Sequence, residues 1–296
     1  MKNYRISKRI KTFAQYFIAV FMAVVTFFPL IVTFISSLKT NDEILLGMFS
    51  IPKELHFQNY PDAIRIANAL RSIGNSLFVA IVTLIVTVVI AMPAAYVIAR
   101  KSFGYLKAAY FLFMAGVMVP VHCTLVSVSK ISSALGTKNS YTFLILIYTA
   151  FNLSQAIFLF TGYIRGLDRG LDEAAKIDGC GDLKLLTMII TPICKPIIAT
   201  EAILVFIYGY SELIFSLILI TDSNKYTISR AMLNFTANFT TDYGPQFAFV
   251  IMSMIPMLII YLFLHEKVEA GMLAYTEIAE IHVLAVYFHT ACHDFF

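Results

Sequence analysis

The residues of this sequence that could do chemistry are concentrated in one stretch, Asp172–Pro192. Its charged side chains stand out in a very apolar chain: Asp172, Glu173, Lys176, Asp178, Asp182 and Lys184. Such groups can form charge-assisted hydrogen bonds with a partner of opposite charge. Alone, the pattern indicates a folded loop that seeks a partner.

Local signals in this stretch predict two short helices. Asp168 or Asp172 can cap the first helix, and Glu173–Lys176 are good helix formers. Gly179 and Gly181 would end it, because glycine readily takes the left-handed C-terminal conformation.

The second helix is expected from Leu183 to about Thr191, with Asp182 as its cap and Pro192 and Pro196 as its limit. Three apolar residues at spacings of three and four would share one face: Leu183, Leu186 and Ile190. Helices this short need a surface to pack against.

Composition indicates an integral membrane protein. The chain has 296 residues, 59% of them hydrophobic and 14% charged, and a mean hydropathy of +0.79. Soluble domains carry about 25% charged residues. About 20 apolar residues suffice to cross a bilayer, and six stretches qualify: Phe13–Ser36, Ser72–Ala99, Ala108–Ser129, Asn139–Ile164, Ile197–Ile220 and Tyr243–Leu264.

The distribution of basic residues predicts the orientation of these spans. With the N-terminus inside, inside segments hold 14 Lys and Arg and outside segments 8. This bias agrees with the positive-inside rule, so both termini are expected in the cytosol. The net charge of +4 then reflects loop placement, and we expect no nucleic-acid partner.

Catalytic motifs are absent from the sequence. It has no GxxxxGK[ST] phosphate loop, HExxH, GxSxG or spaced cysteine cluster. We therefore expect no enzyme activity and no cofactor in this chain. Near the C-terminal end of the chain, four residues have side chains that can ligate a metal: His282, His289, Cys292 and His293. We nevertheless expect this end to be an extension without a metal site.

The spacing in the polar stretch resembles the EAA loop of ABC importer permease subunits. That pattern is EAA, three residues, Gly, nine residues, Ile, one residue, Leu-Pro. Here it runs Glu173-Ala174-Ala175, Gly179, Ile189 and Thr191-Pro192, with Thr191 in place of the leucine. Ile177-Asp178-Gly179 narrows the resemblance to the maltose-type smaller permease of carbohydrate importers. The resemblance to this family extends over Phe13–Ala274. Four further segments carry it: LKTNDEI, FQNYPDAI, AAY-x-x-AR and EKVEAGMLA.

The resemblance implies an all-α membrane protein with six transmembrane helices in the type I ABC importer permease fold. It divides the chain into a basic N-terminus (1–12), a permease domain (13–264) with the EAA loop at 165–196, and a cytosolic end (265–296) whose tail is atypical from about 275. It assigns ATPase coupling to seven residues: Glu173, Ala174, Ala175, Asp178, Gly179, Ile189 and Pro192.

The partners follow from the same resemblance. They are a second homologous permease, two ATPase subunits that bind ATP and Mg²⁺, an external sugar-binding protein and the bilayer of a bacterial or archaeal inner membrane. The transported substrate would be a sugar or oligosaccharide, although relatives also handle glycerol phosphate derivatives.

Acidic residues in the fifth span leave two readings open. A charge inside the membrane is costly and usually faces a cavity or a partner. Glu212 could line a sugar path with Tyr208, Tyr210, Asn152 and Gln155, or these side chains could pack against the partner permease. In the alternative function, a stand-alone secondary transporter would move protons on Glu201 and Glu212.

Overall fold

The computed structural model describes residues 2–237 and 240–263. Helices dominate it, and two short antiparallel strands, β1 (Thr236–Ala237) and β2 (Thr240–Thr241), pair with each other. The expectations for the tail from residue 264, including its histidines and Cys292, lie outside the described residues.

The helices follow one another with short connections. They are α1 (Lys2–Ser36), α2 (Asn41–Leu46), α3 (Asn59–Ala67), α4 (Ala69–Arg100), α5 (Gly104–Met118), α6 (Leu125–Ala134), α7 (Tyr141–Gly166), α8 (Gly170–Ile177), α9 (Asp182–Leu185), α10 (Thr191–Ile193), α11 (Lys195–Ser211), α12 (Ile214–Leu219), α13 (Ile228–Met232) and α14 (Tyr243–Phe263). A π-helical turn, Leu186–Ile190, joins α9 to α10, and 3₁₀ turns cover Val121–Thr124, Ser223–Lys225 and Leu233–Phe235.

Four described helices are long and apolar enough to cross a membrane: Gln15–Ser36 of α1, α4, α7 and α14. Two further stretches qualify only as bent pairs. They are α5 with Val121–Ala134, bent by 94°, and Asp182–Ile193 with α11, bent by 78°. The six predicted spans are reached if each bent pair is one span, and that count stays a prediction.

The third predicted span, Ala108–Ser129, coincides with the bent pair of α5 and Val121–Ala134 and is not one straight helix. The helix stops at Met118, and Val119 and Pro120 take extended conformations before the chain turns. A residue that precedes proline avoids the helical region because its backbone clashes with the proline ring. Pro120 therefore ends α5.

The fifth predicted span, Ile197–Ile220, contains a break between two helices. Helix α11 ends at Ser211, Glu212 is extended, and the short α12 begins at Ile214. The free amides at the start of α12 need acceptors, and Glu212 supplies them, as described below.

Two units divide the chain, and the first comprises the described residues of Met1–Leu70 and Ala231–Ile255. Its centre is Lys39, which is fully buried and donates to the carbonyls of Gly47 and Met48 and to Ser50 Oγ. Asn59 donates to the carbonyl of Lys39. All three hydrogen bonds of the buried Lys39 ammonium group thus go to the loop that follows α2.

The second unit comprises Arg71–Arg230 and the described residues from Pro256 onward. Two apolar clusters lie along α7. One joins the last turns of α4 and α7 to the loop after α7. The other joins α6, α12 and the first half of α7. Helix α7 is therefore the common support of this unit.

Gly244 offers a test of the packing in the first unit. A Cβ there would lie 2.7 and 2.8 Å from the Asn59 amide and 2.8 Å from the Lys39 carbonyl oxygen. We expect Gly244→Ala to destabilise the protein by about 1–3 kcal/mol, lowering the melting midpoint in detergent by several degrees. Gly74→Ala is the matched control, because its Cβ meets nothing within 4 Å and alanine favours a helix interior. Equal midpoints for both variants would contradict the described packing.

Candidate functional site

Helix α8 forms where the sequence predicted the first short helix. Its C-terminal end closes with bonds from Gly179 N to Lys176 O (3.0 Å) and from Cys180 N to Ala175 O (2.9 Å). Gly179 has a φ of +77°, the left-handed conformation that this type of cap requires. Gly181 has a φ of −71° and takes no part in the stop, so only the first of the two glycines sets the turn.

Of the two acids proposed as caps, only Asp168 contacts the start of α8. Its Oδ1 accepts from the amide of Gly170 at 2.9 Å. Asp172 instead points into the protein and pairs with Arg100 at the end of α4, Nε to Oδ2 2.8 Å. The sequence pattern could not choose between these acids, because an acidic residue early in a helix suits either role.

The Arg100–Asp172 ion pair is nearly buried, with side-chain exposures of 6% and 10%. Arg100 Nη1 also donates to the carbonyl oxygen of Leu167 at 3.1 Å, which follows the last turn of α7. Tyr96 Oη lies 3.5 Å from Asp172 Oδ1. One guanidinium therefore connects α4, the end of α7 and α8.

The second half of the loop differs from the predicted helix. Asp182 does not cap it; its carboxylate accepts from Lys101 Nζ at 2.8 Å. This ammonium group holds the pKa of Asp182 below its ordinary value. Leu185 is buried while Leu183 is 74% exposed, and a π-helical turn follows at Leu186–Ile190. Leu183 therefore does not share the inward face of Leu186 and Ile190.

The EAA loop, residues 165–196, has distinct inner and outer faces. Its buried residues join the cluster formed with α4 and α7: Ala175, Leu185, Leu186, Ile190 and Cys194. Its exposed residues include Glu173, Ala174, Ile177, Asp178, Leu183, Met188 and Pro192, and Ile189 is half-buried. The predicted coupling residues thus lie on both faces, with Ala175 inward and Glu173 and Ala174 outward.

A second polar site lies at the break between α11 and α12. The Glu212 carboxylate accepts from the amides of Ile214 (2.7 Å), Phe215 (3.0 and 3.1 Å) and Ser216 (3.2 Å). Tyr148 Oη on α7 donates to it at 2.6 Å. The acid therefore satisfies the free amides at the start of α12.

The other proposed path residues lie along the same contact of α7 with α11. Tyr208 packs edge-on against Tyr148, with ring centroids 5.5 Å apart, and Asn152 donates to the Tyr148 carbonyl. Gln155 lies beside Glu201, which is fully buried. Tyr210 is buried and stacks on the Phe206 ring of its own helix.

Sequence reasoning missed Arg100 and Tyr148 as site residues. Arg100 ends the segment AAY-x-x-AR and was counted only as a basic loop residue. Tyr148 is one aromatic residue among many in an apolar helix, and nothing in the sequence marks it as the partner of Glu212.

Comparisons with known proteins agree with this architecture. A multiple sugar-binding transport system permease protein of Streptococcus mutans is 30% identical over 90% of this chain and 96% of its own length. A diacetylchitobiose uptake system permease protein of Streptomyces coelicolor is 29% identical over 84% of this chain and 83% of its own. The fold also matches a chain in the crystal structure of a bacterial ABC transporter involved in the import of the acidic polysaccharide alginate. That match has a TM-score of 0.74 at 20% identity and covers 88% of this chain and 97% of that one.

The family of binding-protein-dependent transport system inner membrane components matches residues 75–273, well over half of the sequence. This range contains α5 to α12 and most of α4, and with them both polar sites described above. The chain therefore belongs to this family of multi-pass membrane transport components.

Proposed function

We propose that this chain is one of two permeases of an ATP-driven importer and that a separate ATPase drives it through the EAA loop. The observation that carries the proposal is the two-faced loop. Its inner face is fixed by the Arg100–Asp172 pair, while the exposed Glu173 side chain has no hydrogen bond or ion pair with a described residue.

Exposed apolar side chains on the loop support a protein partner. Ile177 is 87% exposed, Leu183 74% and Met188 66%. Apolar residues grouped on a polar loop typically belong to an interaction surface. Glu173 beside them offers a charge-assisted bond to a basic group of the ATPase.

The inner contacts give this docking site a mechanical role. If closure of the ATPases displaces α8, Arg100 transmits the displacement to the ends of α4 and α7, because one guanidinium binds both Asp172 and Leu167. Packed helices move as rigid bodies in such transitions. The same motion would alternate the access of a central path.

For the substrate we propose a sugar or oligosaccharide, delivered by an external binding protein. The two relatives above are permeases for multiple sugars and for diacetylchitobiose. The half-buried Tyr208 offers a ring on which a sugar can stack, whereas Tyr210 is buried against Phe206. The complete importer would contain this chain, a second homologous permease and two ATPase subunits. This chain would perform no catalysis itself.

We further propose that both termini face the cytosol of a bacterial or archaeal cell, with the EAA loop on the same side. The excess of Lys and Arg in the inside segments supports this orientation. The loop that contains α2 and α3 then lies outside.

The contacts of Glu212 give it a structural role that the proton-coupled alternative does not require. Its carboxylate accepts from three amides and a tyrosine hydroxyl, so it caps α12 and joins the start of α12 to α7.

The docking proposal predicts that Glu173→Lys weakens association with the ATPase and uptake. Loss of a hydrogen bond to a charged group costs about 1.5–3 kcal/mol, which corresponds to roughly a 10- to 150-fold weaker association. Membrane insertion should be normal, since Glu173 is exposed. Co-purification of the ATPase with this chain measures the effect. Glu54→Lys, an equal charge change at an exposed site in the opposite loop, is the control.

Two glycine variants test the geometry of the loop separately from the contact of the Glu173 side chain. The assay is again co-purification of the ATPase. Gly179→Val should impair association because a β-branched residue resists a φ of +77°. Gly181→Val should be tolerated, since its φ is ordinary and its Cβ meets nothing within 4 Å.

For the first of these two predictions, normal uptake by Glu173→Lys would contradict the docking assignment.

The orientation predicts which engineered cysteines react on intact cells. In a background with the native cysteines replaced by serine, Glu54→Cys should react with an impermeant thiol reagent and Lys184→Cys should not. Both positions are exposed in the folded chain, so burial does not explain a difference. Reaction of Lys184→Cys alone would reverse the topology.

The energy source is the direct test of the proposed function. In vesicles that contain all the subunits, uptake should persist with ATP when an uncoupler collapses the proton gradient, and it should stop without ATP. Glu212→Gln should reduce uptake, because the cap of α12 weakens, while ATP dependence remains. Uptake that follows the proton gradient and ignores ATP would establish the alternative.

A further inference from the structure

A groove between α5 and α7 is not used by the proposed coupling or path. It encloses a cavity of about 360 Å³. Six side chains without nitrogen or oxygen line it: Phe111, Met114, Ala115, Val117, Met118 and Phe158. Helices α5 and α7 approach closely behind it, since a Cβ on Gly116 would meet Ser154 Oγ at a distance that no real contact allows.

Basic residues lie at one end of this groove. The Arg165 guanidinium carbon lies 4.5 Å from the centre of the Tyr110 ring. Tyr110 in turn stacks on Phe158 of the cavity wall, with centroids 6.5 Å apart. Lys107 lies one turn before Phe111 and is exposed, as is Arg165. Neither side chain has a hydrogen bond or ion pair with a described residue.

The groove thus continues from a positive end into an apolar slot. From Lys107 to Val117 an α-helix rises about 15 Å, which is about half the thickness of a bilayer's hydrocarbon core. Cations at the membrane surface attract anionic headgroups, and aromatic rings prefer the same depth. The dimensions and charge order are those of one phospholipid in one leaflet.

We propose that this groove binds an anionic phospholipid, with its phosphate on Arg165 and Lys107 and an acyl chain along Phe111–Met118 against Phe158. The proposal rests on the orientation proposed above, which makes this the cytosolic leaflet. It concerns binding rather than transport, so it can fail while the importer assignment stands, or the reverse.

The absence of tryptophan from the chain allows a direct measurement. Phe158→Trp places a single fluorophore in the cavity wall. In vesicles that contain the full chain, brominated phosphatidylglycerol should quench it more effectively than brominated phosphatidylcholine at equal mole fraction. Two basic residues near the surface predict a preference of about 5- to 30-fold. Phe21→Trp, on the exposed surface of α1, should report little preference.

Charge variants locate the headgroup. Adding Lys107→Gln and Arg165→Gln to the Phe158→Trp chain should reduce the preference to about onefold. Lys130→Gln with Lys138→Gln removes two exposed cations, one on α6 and one in the segment after it, and should leave the preference unchanged. A preference that survives the first pair, or equal quenching by both lipids in the parent, would overturn the proposal.

Two further arms exclude other occupants. Inorganic phosphate should not abolish the preference beyond the effect of chloride at equal ionic strength; if it does, the site binds a free anion. In the assembled importer, quenching should persist after subtraction of the fluorescence of the same complex with Phe158 unsubstituted. Its loss there would mean that the second permease covers the groove, and the lipid assignment would be wrong.

Discussion

The ion pair between Arg100 and Asp172 is the contact on which the arrangement of the EAA loop depends. Burying two charges costs several kcal/mol per ion, and hydrogen bonds from the remaining groups of the pair offset part of this cost. Here Arg100 Nη1 binds the Leu167 carbonyl and Tyr96 lies beside Asp172, whereas Arg100 Nη2 has no hydrogen-bond partner among the described residues. Removing one partner of such a pair typically costs about 3–5 kcal/mol. Helix α8 therefore has one strongly preferred position on α4 and α7.

Two charged groups inside this apolar chain, Lys39 and Glu212, find their partners at places where a helix ends. Lys39 is fully buried, and its bonds go to backbone and hydroxyl oxygens of the loop after α2. Glu212 lies at the break after α11 and accepts the amides that the break leaves free. Broken helices occur at membrane depth only where the exposed backbone groups find partners. Each of these two charges thus accounts for an irregular segment that would otherwise be unstable.

The sequence predicted the elements whose causes are local. Hydropathy identified α1, α4, α7 and α14, and the turn at Gly179 followed from the conformational freedom of glycine. The bend after Met118, where Pro120 ends α5, was not predicted, and neither was the close approach of α5 to α7 at Gly116 and Ser154. Contacts of that kind join residues far apart in the chain, and no periodicity records them.

The same limit explains the errors within the EAA loop. Helical spacing placed Leu183 on the inner face with Leu186 and Ile190, whereas Leu183 is exposed and Leu185 is buried instead. A π-helical turn also interrupts the regular spacing from Leu186 to Ile190. Asp172 and Asp182 were read as caps because acids favour helix starts. Their actual partners, Arg100 and Lys101, lie more than seventy positions earlier in the sequence.

The residues on the two faces of α8 are subject to different structural constraints. Asp172 and Ala175, three positions apart, lie on the inner face and are fixed by α4 and α7. Glu173, Ala174 and Ile177 lie outside and contribute little to the fold. Changes on the outer face can therefore alter the fit to a partner without moving the helix. Changes on the inner face would alter the position of the whole helix, and with it every outer contact at once.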